Sequence, residues 1–241
     1  MQYTTDVRII RLMCTGRVDP TLVAGAFLDG ADGLMVVGCH FGDCHYISGN
    51  YQGKIKVGLA ARTLGYVGMN PERVSFNQCS GAEGERFVSL VTAFDRKIQE
   101  LGPLGGSADT LPLPALKKKI EIAKVALGKE KLRWVVGKFT EFNTTGNKYG
   151  ERFTEHEMWR TLDTIIMDEV ATFEIMRELE QGPTAVKDMA ARLELPPPHV
   201  LKYVLALQRR GFVKLSGVDG NTPRYEIVEQ AAQAAQASRA A

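Results

Sequence analysis

"GLMVVGCHFGDCHYISGNY", residues 33–51, decides how the chain is read. Residues 33–39 are a short continuous apolar run, the pattern of a strand buried on both faces of a parallel sheet. The run ends at Cys39, and the loop after it brings His40, Asp43, Cys44 and His45 in quick succession. The chain has only four cysteines, so half of them fall at the end of this one strand and in the loop behind it.

Working outward, the same alternation of strand and helix recurs. "VRIIRLMC" (7–14) is a β-branched run expected to form an earlier strand. Asp19 is placed to cap a helix that opens with Pro20 and runs through "TLVAGAFL". A weaker helix is expected around 52–64, broken by the glycines of "GYVG". "RVSFNQC" (73–79) reads as a third strand. "SGAEGERFVSLVTAFDRKIQEL" (80–101) reads as a helix with Phe87, Leu90, Val91, Phe94 and Ile98 on its apolar face. Such alternation implies an α/β domain with a parallel sheet, whose strands all end on one edge, where ligands sit.

On that reading Cys14, Cys39 and Cys79 each close a strand, and Cys44 lies in the loop after the second. All four are expected to meet on one rim despite the spacing C-x24-C-x4-C-x34-C. The bland alternative is four unrelated inert thiols. Four thiolates suit zinc or an iron–sulfur cluster, and one C-x4-C element with two solitary cysteines favours the cluster over structural zinc. Gly38 and Gly42 allow backbone N–H groups to approach the sulfurs. Each histidine follows its cysteine directly, which fits neither a Rieske centre nor C-x-x-C-H haem attachment. His40 and His45 read as loop hydrogen-bonding groups; a Cys44 nucleophile activated by either of them and oriented by Asp43 is the minor option.

Composition bounds the rest. At 241 residues and 44% apolar, the chain can hold one ordinary domain and a smaller one, and a formal charge of +2 implies no global field for nucleic acid or an anionic surface. No signal peptide or membrane span is legible, so cytoplasm is the default and disulfides are disfavoured. No phosphate-cradling glycine motif is present. "GPLGGSADTLPLP" (102–114) reads as a linker, so residues 1–101 form the first domain and 102–163 a linker and helical connector. In the helix "ALKKKIEIAKVAL", Leu116, Ile120, Ile122, Ala123 and Leu127 require a partner face, and Lys117 to Lys119 a solvated one.

Residues 164–229 have the pattern of a small winged helix-turn-helix. Thr184 is expected to cap its second helix, and Val200, Val204 and Leu207 to point inward from the third. "FVKL" and "RYEIV" are expected to pair around "GVDGNTP". DNA contact would run through His199, Lys202, Tyr203, Arg209 and Arg210. Seven Lys/Arg against four Asp/Glu over 183–228 is a thin surplus for a duplex, which favours protein docking. Residues 230–241 are low-complexity and read as a disordered tail.

"RIIRLMCTGRVDP", "VVGCHFGDCHYISGNY" and "SGAEGERF" resemble the delta subunit of methyl-viologen-reducing hydrogenases over roughly residues 5–101, and "LRWVVGK" and "GNKYGERFTEHE" are similar to a tail many members carry. The resemblance implies a flavodoxin-like parallel sheet and a [2Fe–2S] cluster. It implies electron relay between a hydrogenase or formate dehydrogenase and a heterodisulfide-reductase-like flavoprotein, or within a related anaerobic reductase such as an aromatic acyl-CoA reductase. Carried over by position, Cys14, Cys39 and Cys44 match family cysteines, while Cys79 is less general. Family members usually open with a further strand and a C-x-x-C element, sometimes with selenocysteine, ahead of "QY". The sheet is therefore expected to be truncated at its first strand, and Met1 to be a misplaced start. Partners would be redox subunits. A redox- or metal-responsive winged-helix transcriptional regulator is the alternative from another class.

Overall fold

The computed structural model describes residues 2–228. They fall into two compact units that divide between Asp163 and Thr164. The chain is mixed α/β, with a two-stranded parallel sheet in the first unit and a three-stranded antiparallel sheet in the second.

In the first unit, β1 (Leu34–Gly38) and β2 (Val74–Gln78) pair in parallel, Leu34 opposite Val74 and Gly38 opposite Gln78. α1 (Pro20–Leu28) starts as its sequence directs. Asp19 Oδ1 accepts from Thr21 N at 2.9 Å and from the Thr21 hydroxyl at 2.8 Å, a cap worth about 1 kcal/mol. α2 (Gly49–Tyr66) crosses from β1 toward β2 and begins earlier than its sequence suggests. It ends at Tyr66, within "GYVG" as expected, with Gly68 at φ +103° just past it, whereas Gly53 and Gly58 lie inside it without breaking it. Gly53 lies against Thr15 and Gly58 against Trp159, so these residues exchange helix propensity of about 1 kcal/mol each for close approach.

α3 (Gly84–Leu101) follows β2, and the Gly/Pro stretch after it lies inside the first unit. α4 (Leu113–Leu127) then packs on α1 and α2. All five apolar residues expected to need a partner, Leu116, Ile120, Ile122, Ala123 and Leu127, are buried. Lys117 is not simply solvated, because its ammonium donates to Leu28 O at 3.1 Å. α5 (Glu130–Thr144) adds Leu132 and Phe139 to this core, and α6 (Glu155–Leu179) follows.

One expected element is absent. Residues 7–14 are not a strand: Ile10 is 83% and Met13 76% exposed, and among the described residues β1 pairs with β2 alone. β propensity makes a strand only where a neighbour completes the ladder, and this run has none. Cys14 instead opens a 3-10 turn, Thr15–Arg17.

In the second unit, α7 (Val186–Leu193) and α8 (Pro197–Arg209) precede the hairpin of β4 (Val213–Asp219) and β5 (Thr222–Ile227), with β3 (Thr184–Ala185) on the other side of β5. Val200, Val204 and Leu207 enter the core as their spacing requires, joined by Ile175, Met189 and Tyr225. Asp219 pairs with Thr222, so the turn is the two residues Gly220 and Asn221, with Gly220 at φ +60°. Thr184 does not cap α7. Its hydroxyl donates to Gly182 O at 2.9 Å, and its backbone pairs with Tyr225 in β3. The tail expected at 230–241 lies outside the described residues. Among the described residues no helix is long and apolar enough to cross a membrane.

Candidate functional site

β1 ends at Gly38, and residues 39–48 fold into a tight loop that feeds α2. Asp43 N donates to His40 O at 3.1 Å and Ile47 N to Cys44 O at 2.9 Å. Gly42, at φ +93°, supplies a conformation that a side chain would strain. The loop is held from beneath by Asn50, whose side chain is fully buried. Its amide donates to His40 O at 2.6 Å and Cys39 O at 3.2 Å, and its Oδ1 accepts from Tyr51 N at 2.9 Å.

Cys44 faces the start of α2. Burial works to raise its thiol, but the backbone N–H groups of Asn50, Tyr46 and Gly49, with the Cys14 side chain, hold it below the usual thiol range. Cys14 arrives from the 3-10 turn, where its sulfur accepts from Gly16 N at 3.4 Å. Both sulfurs abut Gly49, whose missing side chain leaves the room they occupy. The turn is clamped in turn by Lys56, which donates to Gly16 O at 2.7 Å. This is a pair of thiols under converging amide donors, an arrangement that stabilises negative sulfur.

The other two cysteines stand apart from that pair. Cys39 is exposed just past β1. Cys79 follows β2, its backbone N–H continuing the ladder to Gly38 O at 2.8 Å and its thiol donating to Glu83 O at 3.3 Å. Gly38 is level with Gln78, so Cys39 and Cys79 leave the same edge of the sheet. Among the described residues no three His, Cys, Asp or Glu side chains are grouped to share an ion.

His40 Nε2 meets Glu83 Oε2 at 2.6 Å and so ties the loop after β1 to the loop after β2. The Ser80 N–H and the His40 ring lower Glu83 to about 2. His45 packs edge-on against Tyr46. A nucleophile triad finds no support in this geometry, since His40 is turned to Glu83 and Cys44 is held by backbone amides. Sequence reasoning missed Asn50, Gly49 and Glu83. The "GN" directly after the loop was the available signal for the first two; Glu83 carried none.

Replacing Asn50 with alanine is expected to destabilise the chain by ~1–3 kcal/mol, because the half-buried His40 carbonyl loses its donor and Cys39 O keeps only Gln78 Nε2 at 3.4 Å. Asn50→Asp should be worse, since it sets a carboxylate against those carbonyls. Chemical denaturation of the three chains checks both; an alanine variant as stable as the parent would show that the carbonyls find other donors.

The fold and the thiol pair define an α/β domain that carries its cysteines on the C-terminal edge of a parallel sheet. Comparison with known proteins makes this particular. The family described as methyl-viologen-reducing hydrogenase, delta subunit, matches residues 1–102. The iron-sulfur subunit of the F420-non-reducing hydrogenase of Archaeoglobus profundus is 44% identical over 101 residues, covering 42% of this chain and 74% of the relative. The iron-sulfur subunit of the vhc F420-non-reducing hydrogenase of Methanococcus voltae is 43% identical over 103 residues, 43% of this chain and 72% of the relative. One subunit of the ferredoxin:CoB-CoM heterodisulfide reductase of Methanosarcina mazei is 39% identical over 105 residues, 44% of this chain but only 13% of that protein. The chain belongs to the methyl-viologen-reducing hydrogenase delta-subunit family.

Proposed function

We propose that this chain is an electron-transfer subunit holding an iron–sulfur cluster of the [2Fe–2S] type. It would pass electrons between a hydrogenase or formate dehydrogenase-type module and a heterodisulfide-reductase-like flavoprotein, or work in a related anaerobic reductase. The Cys14–Cys44 pair carries this reading. Two adjacent thiols that receive Gly16, Tyr46, Gly49 and Asn50 N–H groups are suited to bind iron as thiolates. Cys39 and Cys79, at the ends of neighbouring strands, are the other two thiols of the proposed ligand set. When bound, the cluster supplies one-electron chemistry. The protein's own part is to hold negative sulfur with fixed amide dipoles and to keep the loop from reorganising, through Asn50 beneath it and the His40–Glu83 link beside it. The relatives named as subunits of hydrogenases and of a heterodisulfide reductase support redox proteins as partners.

The proposed core of the sheet is flavodoxin-like, and the second unit reads as a winged helix used for docking. A transcriptional regulator is the competing reading, and the face of α8 speaks against it. Tyr203 donates to Asp168 at 2.7 Å and Lys202 lies 3.7 Å from the same carboxylate, while Leu201 and Leu205 are 40% and 38% exposed where a duplex-reading helix would carry polar groups.

The test is iron and acid-labile sulfide content of the chain purified without oxygen. About two of each per chain are expected. Zinc without sulfide would overturn the cluster and return the regulator to consideration, with sequence-specific duplex binding as its own check.

A further inference from the structure

Beside the cysteine loop, within the first unit, lies a cleft of about 520 Å³. Its floor is aromatic. Phe41 and Phe76 are nearly parallel, 14° apart with ring centroids at 6.4 Å, and Trp159 faces the same space. Three cations line it, but two are already matched: Lys54 donates to Glu155 at 2.9 Å, and Arg62 grips Asp163 at 2.8 and 2.9 Å while lying 4.8 Å from the Trp159 ring. Arg86 is different. Its Nε donates to Gln78 O at 2.9 Å, and among the described residues no carboxylate pairs with its guanidinium.

The wall that carries Trp159 and Glu155 lies beyond residue 102, where the family match ends. It is a built contact. A Cβ on Gly58 would come within 2.7 Å of the Trp159 ring, and Phe139 backs that ring at 4.9 Å. Residues outside the matched span therefore complete one wall of the cleft, which is of a size that suits small molecules.

We infer that this cleft binds a planar aromatic group bearing an anion, a carboxylate or a phosphate, with the ring against Phe41, Phe76 and Trp159 and the anion on Arg86. The position beside Phe41, two residues after Cys39, puts such a ligand next to the cysteine loop, but binding itself does not depend on a cluster.

The full chain has two tryptophans, and a Trp134→Phe background leaves Trp159 as the sole reporter. Titration with riboflavin 5′-phosphate is expected to quench Trp159 saturably, with riboflavin binding at least about tenfold more weakly and inorganic phosphate not competing at equal concentration. Arg86→Gln should bring the phosphate ester down to the affinity of riboflavin, and Phe41→Leu should weaken both. Displacement by 2-naphthoate would show that the site accepts a ring with a carboxylate; failure of displacement would restrict the ligand to phosphate esters. Absence of saturable quenching by either anion, equal affinity for riboflavin and its phosphate, or an Arg86→Gln chain that binds as the parent would each overturn the inference. Because the titration runs equally on metal-free chain, its failure is separable from failure of the cluster reading.

Discussion

A Gly49→Ala chain is expected to purify with at least about tenfold less iron than its parent while keeping its helix content. Gly49 is the first residue of α2, and the space where its side chain would stand is filled by the Cys14 sulfur, with Cys44 Sγ 3.5 Å and Gly16 N 3.7 Å from the same point. The contacting atoms are a sulfur held by a backbone turn and a backbone nitrogen, neither of them the loose end of a long side chain. An alanine methyl must therefore push Cys14 away from Cys44. Helix propensity runs the other way, by less than the gain of about 1 kcal/mol that alanine has over glycine in a helix interior, because Gly49 stands at the first helical position. A chain that is as stable as the parent or more so, yet poor in iron, is the expected signature. Parallel circular dichroism and iron analysis read it directly. Full iron content in Gly49→Ala would mean that Cys14 is not a ligand.

Asp109→Asn is expected to be the most damaging single change away from the cysteines, at about 3–5 kcal/mol. Arg73 and Asp109 form an ion pair at 2.9 Å with both side chains wholly buried. Arg73 also donates to Asp32 O at 3.0 Å, Gly102 O at 2.9 Å and Pro103 O at 3.1 Å, and Asp109 accepts from Asn70 N at 2.7 Å and Gly105 N at 2.8 Å. The pair sews the Gly/Pro stretch after α3 to the start of β2. Removing either charge leaves the other buried and unmatched, whereas replacing both with apolar residues should do less harm than the two single changes summed.

The pH dependence follows in sign. Burial pushes the Asp109 carboxyl upward, but the Arg73 guanidinium and the two backbone donors outweigh it and hold the group below its ordinary range. Its contribution is therefore complete above the unfolded carboxylate pKa of about 4 and is lost as pH falls through the lower folded value. Denaturation midpoints should be level from neutral pH to about 5 and fall below about 4. An Asp109→Asn chain should start lower and fall less; equal acid slopes would show that other carboxylates set the acid limit.

Local signals in the sequence were enough for the parts that obey local rules. Asp19 and Pro20 mark the start of α1 because a cap needs only its own next residues. The spacing of Val200, Val204 and Leu207 announces which side chains are buried, since periodicity is a property of one element, whereas the continuous run at 34–38 forms its strand but buries only Val36 and Gly38, not both faces. The cysteine loop and its family were equally legible, because thiols and glycines at fixed spacing are rare and chemically specific.

What required the folded chain is everything that depends on a partner distant in sequence. Residues 7–14 carry strand propensity, yet a ladder needs a neighbour and none is there among the described residues. Arg73 and Asp109, 36 residues apart, have no pattern that pairs them. Glu83 reaches His40 across 43 positions, and Trp159 settles on a glycine a hundred residues earlier. The order of residues was enough to say which chemistry this protein carries and which elements present it. Which thiols meet, what holds their loop and where a cleft opens beside it were settled by folding, because burial and hydrogen bonding select contacts by distance in space and not along the chain.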